Sequence, residues 1–194
     1  MKRSVLNAFA CAASAAVLAF AVQADARPLS GAERGQILKA VDADADQIAD
    51  AALKIWSYAE VGYQETRSSA LLQDQLKAAG FEVKAGVAGM PTGFIASYRN
   101  GEGPVIAILA EFDALPGLAQ AAAPTKTPIA GQAAGHGCGH NLFGAASVGA
   151  AVALKQWMTA NNIKGELRVY GTPAEEGGSG KVYFVRDGFF DDVD

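Results

Sequence analysis

Val105-Ile106-Ala107-Ile108-Leu109-Ala110 is a run without a polar side chain, and Glu111-Phe112-Asp113-Ala114-Leu115-Pro116-Gly117 follows it directly. An unbroken apolar run bounded by turn residues reads as a central strand buried on both faces. Two carboxylates just beyond the C-terminal end of such a strand stand where open α/β sheets place their ligands. Residues 111 and 113 share a face if the strand extends that far, so Glu111 and Asp113 could converge. The alternative is that both solvate a loop.

Upstream, the pattern is α then β. Ser30-Gly31-Ala32-Glu33 is a capping box. It opens one long helix to about Tyr58, with Ile37, Leu38, Val41, Ile48, Ala52, Ile55 and Trp56 close to helical spacing. Asp42, Asp44 and Asp46 alternate there, but a calcium loop also needs a glycine and a terminal Glu, so they read as a solvated helix face. After a loop at Ala59–Glu65, Thr66–Ala79 reads as a helix with Leu71, Leu72 and Leu76 inward and Gly80 as its stop. Phe81–Val87 and Thr92–Tyr98 are short strands, and Asn100–Gly103 is a turn.

Downstream, Ala119–Gly135 is a flexible loop by composition. It runs into Gly135-His136-Gly137-Cys138-Gly139-His140-Asn141, which holds both histidines of the chain. Thiolate and imidazole are soft ligands for a transition metal, and flanking glycines let two side chains turn onto one point. A helix from Asn141 to about Asn161 would put them at its N-terminus, where the macrodipole favours a thiolate. A glycine-rich loop with incidental His and Cys is the alternative. The glycines and alanines of that helix (Gly144, Ala145, Gly149, Ala150) imply close approach to a sheet. Glu166–Gly171 is a further strand, ending in Thr172-Pro173-Ala174-Glu175-Glu176, and Lys181–Arg186 begins a last helix stopped by Gly188. Two strand ends carrying paired carboxylates and one helix start carrying Cys and His would meet at one sheet edge if the strands are parallel. The fold class is therefore α/β: a mixed or parallel sheet with helices on both faces.

Residues 1–26 read as a secretory signal: Lys2 and Arg3, an apolar run from Val5 to Val22, and Ala24-Asp25-Ala26 as cleavage site. A membrane anchor is the competing reading, but Asn7 and Ser14 interrupt the run. The expected product begins at Arg27, carries no anchor, and is periplasmic or secreted. Cys11 leaves with the signal, so Cys138 has no partner and is buried, metal-bound or catalytic. The formal net charge is −4 and no Lys/Arg block occurs, which gives no nucleic-acid footprint.

Three ordered motifs, E-F-D-A-L-P-G-L (111–118), G-H-G-C-G-H-N-L (135–142) and P-A-E-E-G-G-S-G-K (173–181), resemble the zinc-type metallopeptidases and amidohydrolases of the aminoacylase and glutamate carboxypeptidase superfamily. The resemblance implies cleavage of the amide bond of N-acyl or N-aroyl amino acids, such as aminobenzoyl-glutamate, through a metal-bound water. It implies a divalent metal, zinc or manganese, held by Cys138, His140 and Glu176. Glu175 would be the general base and Asp113 would orient a ligand. Glu111 stands where the wider family has a ligand histidine, and His136 would act behind the ligands or on substrate. Family members continue past this length, with further histidines and an inserted dimerisation domain, and form homo-oligomers. The expectation is thus an N-terminal portion of a catalytic domain, and the alternative function is an incomplete, catalytically incompetent remnant. A thiol hydrolase using Cys138 with either histidine is a third reading, which leaves the carboxylate pairs without a role.

Overall fold

The computed structural model describes residues 27–194. The expected signal at 1–26, with Cys11, lies outside the described residues. Among the described residues, no helix is long and apolar enough to cross a membrane.

The N-terminal helical stretch is two helices, α1 (Gly31–Ala43) and α2 (Ala45–Tyr58), not the single helix that the apolar spacing predicts. The capping box forms as read: Ser30 accepts from the Glu33 N–H, and Glu33 reaches back to the Ser30 N–H. The break falls at Asp44, which leaves helical geometry at φ −98, ψ 5. Aspartate is a weak helix-interior residue because its side chain competes for the backbone. The burial differs across the break. No residue of α1 is buried and Leu38 is exposed, whereas α2 buries Ala51, Ala52 and Ile55. α3 (Thr66–Ala78) buries Leu72 and Leu76, and Gly80 follows it with φ +83.

β1 (Glu82–Ala85), β2 (Phe94–Arg99), β3 (Val105–Ala110) and β6 (Glu166–Gly171) form one mixed sheet in the order β1-β2-β6-β3. β1 and β2 are antiparallel, as are β2 and β6, while β3 and β6 run parallel. A parallel pair needs a crossover, and α4 (His140–Ala160) supplies it. β3 is therefore an edge strand of this sheet, not the central one. Its apolar run has partners on one side only, and Ile106 is exposed. The strand flanked on both sides is β6, whose residues are nearly all buried.

One face of the sheet packs Phe94, Ala96, Leu167 and Val169 against Ile55, Leu72, Leu76, Val148 and Ala151 of α2, α3 and α4. On the other face, Tyr170 packs with Phe184 of α6 (Gly180–Arg186) and with Phe189 and Phe190. Helices thus cover both faces. The small residues of α4 do what their size implies: a Cβ on Gly144 would lie 2.6 Å from the Glu111 carbonyl oxygen, so the helix start is pressed against the end of β3. The loop after β3 is tied across by a two-residue ladder, β4 (Leu115–Pro116) with β5 (Ala134–Gly135).

Candidate metal centre

The register Ala110↔Gly171 brings the ends of β3 and β6 level, and the Thr172 N–H extends the pairing by donating to the Ala110 carbonyl at 2.9 Å. Each chain segment then turns into the same space. From β3 come Glu111 and Asp113. From β6 come Thr172, Pro173 and Ala174, then the four-residue helix α5 (Glu175–Gly178). His140 opens α4 between them, and Cys138 lies two residues earlier, exposed, with Gly139 at φ +91 turning the chain into the helix.

His140 is the hub. The residue is 4 % exposed. Nδ1 donates to Asp113 Oδ1 at 2.8 Å, and Nε2 lies 3.0 Å from Glu111 Oε2. Glu111 and Asp113 therefore do converge, although β3 ends at Ala110, and they hold the ring from its two nitrogens. Glu175 Oε2 stands 3.9 Å from Nε2, and Glu176 Oε1 3.8 Å from Nδ1. The second Asp113 oxygen accepts the backbone N–H of Glu176 at 2.9 Å, which couples the β3 end to α5. Lys181 donates to the other oxygen of Glu111.

Two sets of donors come within 4.8 Å of one another: Cys138, His140 and Glu176, and Glu111, His140 and Glu175. The first is the ligand set expected from the resemblance. The second holds the expected base together with Glu111. His136 joins neither. It is buried toward α2, where its Nε2 donates to the Ile55 carbonyl at 3.0 Å, and burial holds its pKa below the ordinary value.

The donors fit a cation on two counts. The set mixes sulfur, nitrogen and oxygen, as transition-metal sites do. Glu176 Oε1 is buried without a hydrogen-bond partner, an arrangement that costs free energy unless another ligand takes the lone pair. The hydrogen bond to Asp113 raises the His140 pKa against the opposing effect of burial. Burial pushes Asp113 upward, but His140 and the Glu176 N–H outweigh it and its pKa is lowered.

Cys138 departs from the expectation of a dipole-favoured thiolate. The Glu176 carboxylate, then burial, then further contacts with the acidic groups, push its pKa up. Cys138 stands outside α4 and faces these acids.

Three residues that shape this centre carry no local mark of it. Lys181 closes the third motif but reads only as the start of a helix. Glu65 and Glu60 read as loop carboxylates. Glu65 is fully buried and accepts the Ala174 N–H, while Glu60 caps α3.

Comparison with known proteins agrees with this geometry. The model of Peptidase family M20/M25/M40 matches residues 107–194, the span that holds every donor named above. The chain is 46% identical over 156 residues to a p-aminobenzoyl-glutamate hydrolase component from Escherichia coli, covering 80% of this chain and 32% of that protein. It is 34% identical to N-acetyl-L-cysteine deacetylase of Bacillus subtilis, over 71% of this chain and 32% of that protein. The crystal structure of a dinuclear metal-binding peptidase of the M20 family from Bacillus subtilis superposes with a TM-score of 0.66 at 25% identity, over 78% of this chain and 41% of that one. The chain spans about a third of the length of the curated relatives it matches. With its two strand ends, its Cys-x-His helix start and its paired glutamates, the chain belongs to peptidase family M20/M25/M40.

Proposed function

We propose that this chain is a metal-dependent amidohydrolase acting on N-acyl or N-aroyl amino acids, with aminobenzoyl-glutamate as the type compound. The observation that carries the reading is the convergence of Cys138, His140 and the unpartnered Glu176 oxygen beside an exposed Glu175 carboxylate. The name of the Escherichia coli relative supplies the substrate class.

Cys138, His140 and Glu176 would hold the cation, zinc or manganese. When bound, it supplies a Lewis acid for the scissile carbonyl and lowers the pKa of a water toward neutrality. The chain does the rest. Asp113 accepts the hydrogen bond of the His140 Nδ1–H, which fixes the tautomer and leaves Nε2 with its lone pair, a common orienting pattern for ligating histidines. Glu175 faces the same space without a hydrogen bond that would hold it elsewhere, so it takes the proton from water and passes it to the leaving amine. The Glu176 N–H, bonded to Asp113, keeps α5 and the ring in one register. The leader expected at 1–26 supports export to the periplasm or medium.

The test is to load residues 27–194 with zinc, manganese or cobalt and assay a panel of N-acyl and N-aroyl glutamates. Turnover that chelator abolishes, and that Glu175→Gln lowers by about 10²–10⁴-fold at unchanged metal content, is the expected result. Loss on thiol alkylation with no effect of chelator would select the thiol hydrolase. A second reading, cation binding without turnover, is favoured by the dependence of both donor sets on His140. Stoichiometric zinc with no hydrolysis above background would select it.

A further inference from the structure

Glu65 occupies the N-cap position of α3 but makes no side-chain capping bond to it. Its carboxylate turns the other way and is fully buried. Oε1 accepts the backbone N–H of Ala174 at 2.8 Å, and Oε2 accepts the Thr92 hydroxyl at 2.9 Å. Glu60, five residues earlier, caps the helix in its place. A carboxylate kept out of water among neutral donors, with no cation beside it, is costly, and burial holds Glu65 above the usual carboxylate range.

The group it grips stands next to the working pair. Ala174 lies in the left-handed region at φ 57, ψ 44, immediately before Glu175. An L-residue adopts that conformation only where its surroundings hold it. The loop that carries Glu65 surrounds the same turn. Gly62 lies so close to Ala174 that a Cβ there would stand 2.7 Å from the Ala174 Cβ, and the Tyr63 hydroxyl donates to the Gly178 carbonyl at 2.5 Å. The loop therefore clasps both ends of the segment 174–178.

We propose that Glu65 is a positioning residue: it pins the left-handed Ala174 and so aims Glu175 and Glu176 at His140. It acts through the backbone and touches neither substrate nor cation. The inference rests on the reading of Glu175 and Glu176 as the working pair, and its test separates the two.

The experiment is amide hydrogen exchange of the full chain, with zinc affinity measured by calorimetry alongside. Glu65→Leu removes the acceptor. It should speed exchange at Ala174 and Glu176 by about tenfold or more relative to the amides of β2, and weaken zinc binding by about tenfold. Glu65→Gln keeps an acceptor for Ala174 and should hold both readouts within about threefold of the parent. A merely space-filling role would not be rescued by Gln over Leu. A folded Glu65→Leu with unchanged exchange at 174 and 176 overturns the proposal. If that variant does not fold, Glu65→Met decides: it too removes the acceptor of the Ala174 N–H, and a folded chain with unchanged exchange at Ala174 overturns the proposal equally. Should the parent bind no zinc while the exchange pattern holds, the metal reading falls and the clasp stands.

Discussion

Asp113 and His140 share a hydrogen bond of 2.8 Å that joins the chain leaving β3 to the first residue of α4. The other Asp113 oxygen holds the Glu176 N–H, so this carboxylate ties all three segments of the site together. Asp113→Ala frees the ring to rotate and leaves two buried donors without acceptors. We expect zinc affinity to fall by about 10- to 100-fold, and stability to fall by about 1–3 kcal/mol. Calorimetric titration and thermal melts of the variant measure the two effects.

Glu60 should stabilise the N-terminus of α3. Its Oε1 accepts the Arg67 N–H at 3.0 Å, and its Oε2 accepts the Ser68 N–H at 2.9 Å. Burial opposes its ionisation, but the bonds from Ser68 and Arg67 prevail and the pKa lies below the ordinary 4.5. The unfolded chain then binds the proton more readily, so this contribution is present above pH 4.5 and is lost as pH falls through the folded pKa. Glu60→Ala should cost about 1–2 kcal/mol at pH 7. Urea melts of parent and variant at pH 7 and pH 3 should show the gap narrowing at the lower pH.

Two glycines should respond oppositely to alanine. At Gly62 the new Cβ would meet Ala174 Cβ at 2.7 Å and Cα at 2.8 Å, and backbone cannot move aside cheaply. A loss of about 1–3 kcal/mol is expected. Gly35, in α1, has nothing within 4 Å of where a methyl group would stand. Alanine there should stabilise by about 0.5–1 kcal/mol. Melting temperatures of the two single variants report the difference.

Lys181 sets a positive charge against Glu111 beside the donor sets. Lys181→Met removes a cation that competes for that carboxylate. Zinc affinity should rise by about three- to tenfold in low salt, and the gain should shrink at high ionic strength as screening takes over. An affinity that falls instead would mean that Lys181 holds Glu111 in its ligating position.

What the chain order made legible was local. The Ser30–Glu33 box, the β6 run and the Cys138–His140 pair each sit within a few residues, so spacing and residue type sufficed. The place of β3 in the sheet was not legible, because an apolar run does not say how many neighbours it will have. Asp44 broke a pattern whose apolar residues continue in phase on both sides. Glu65 was read as part of a loop because its partner, Ala174, lies far away along the chain. The acids around Cys138 were not legible for a related reason: α4 is adjacent in sequence, while Glu111, Glu175 and Glu176 arrive from other segments.

His140 belongs to both donor sets, and its Nδ1 is committed to Asp113. One lone pair is left on the ring, and it cannot serve two ions at once. Loading either set with a cation thus withdraws nitrogen from the other, which is negative linkage between neighbouring positions a few ångströms apart. Occupancy would then be decided by the relative affinities of the two positions, and a zinc titration of the chain should climb to one equivalent and bend sharply there.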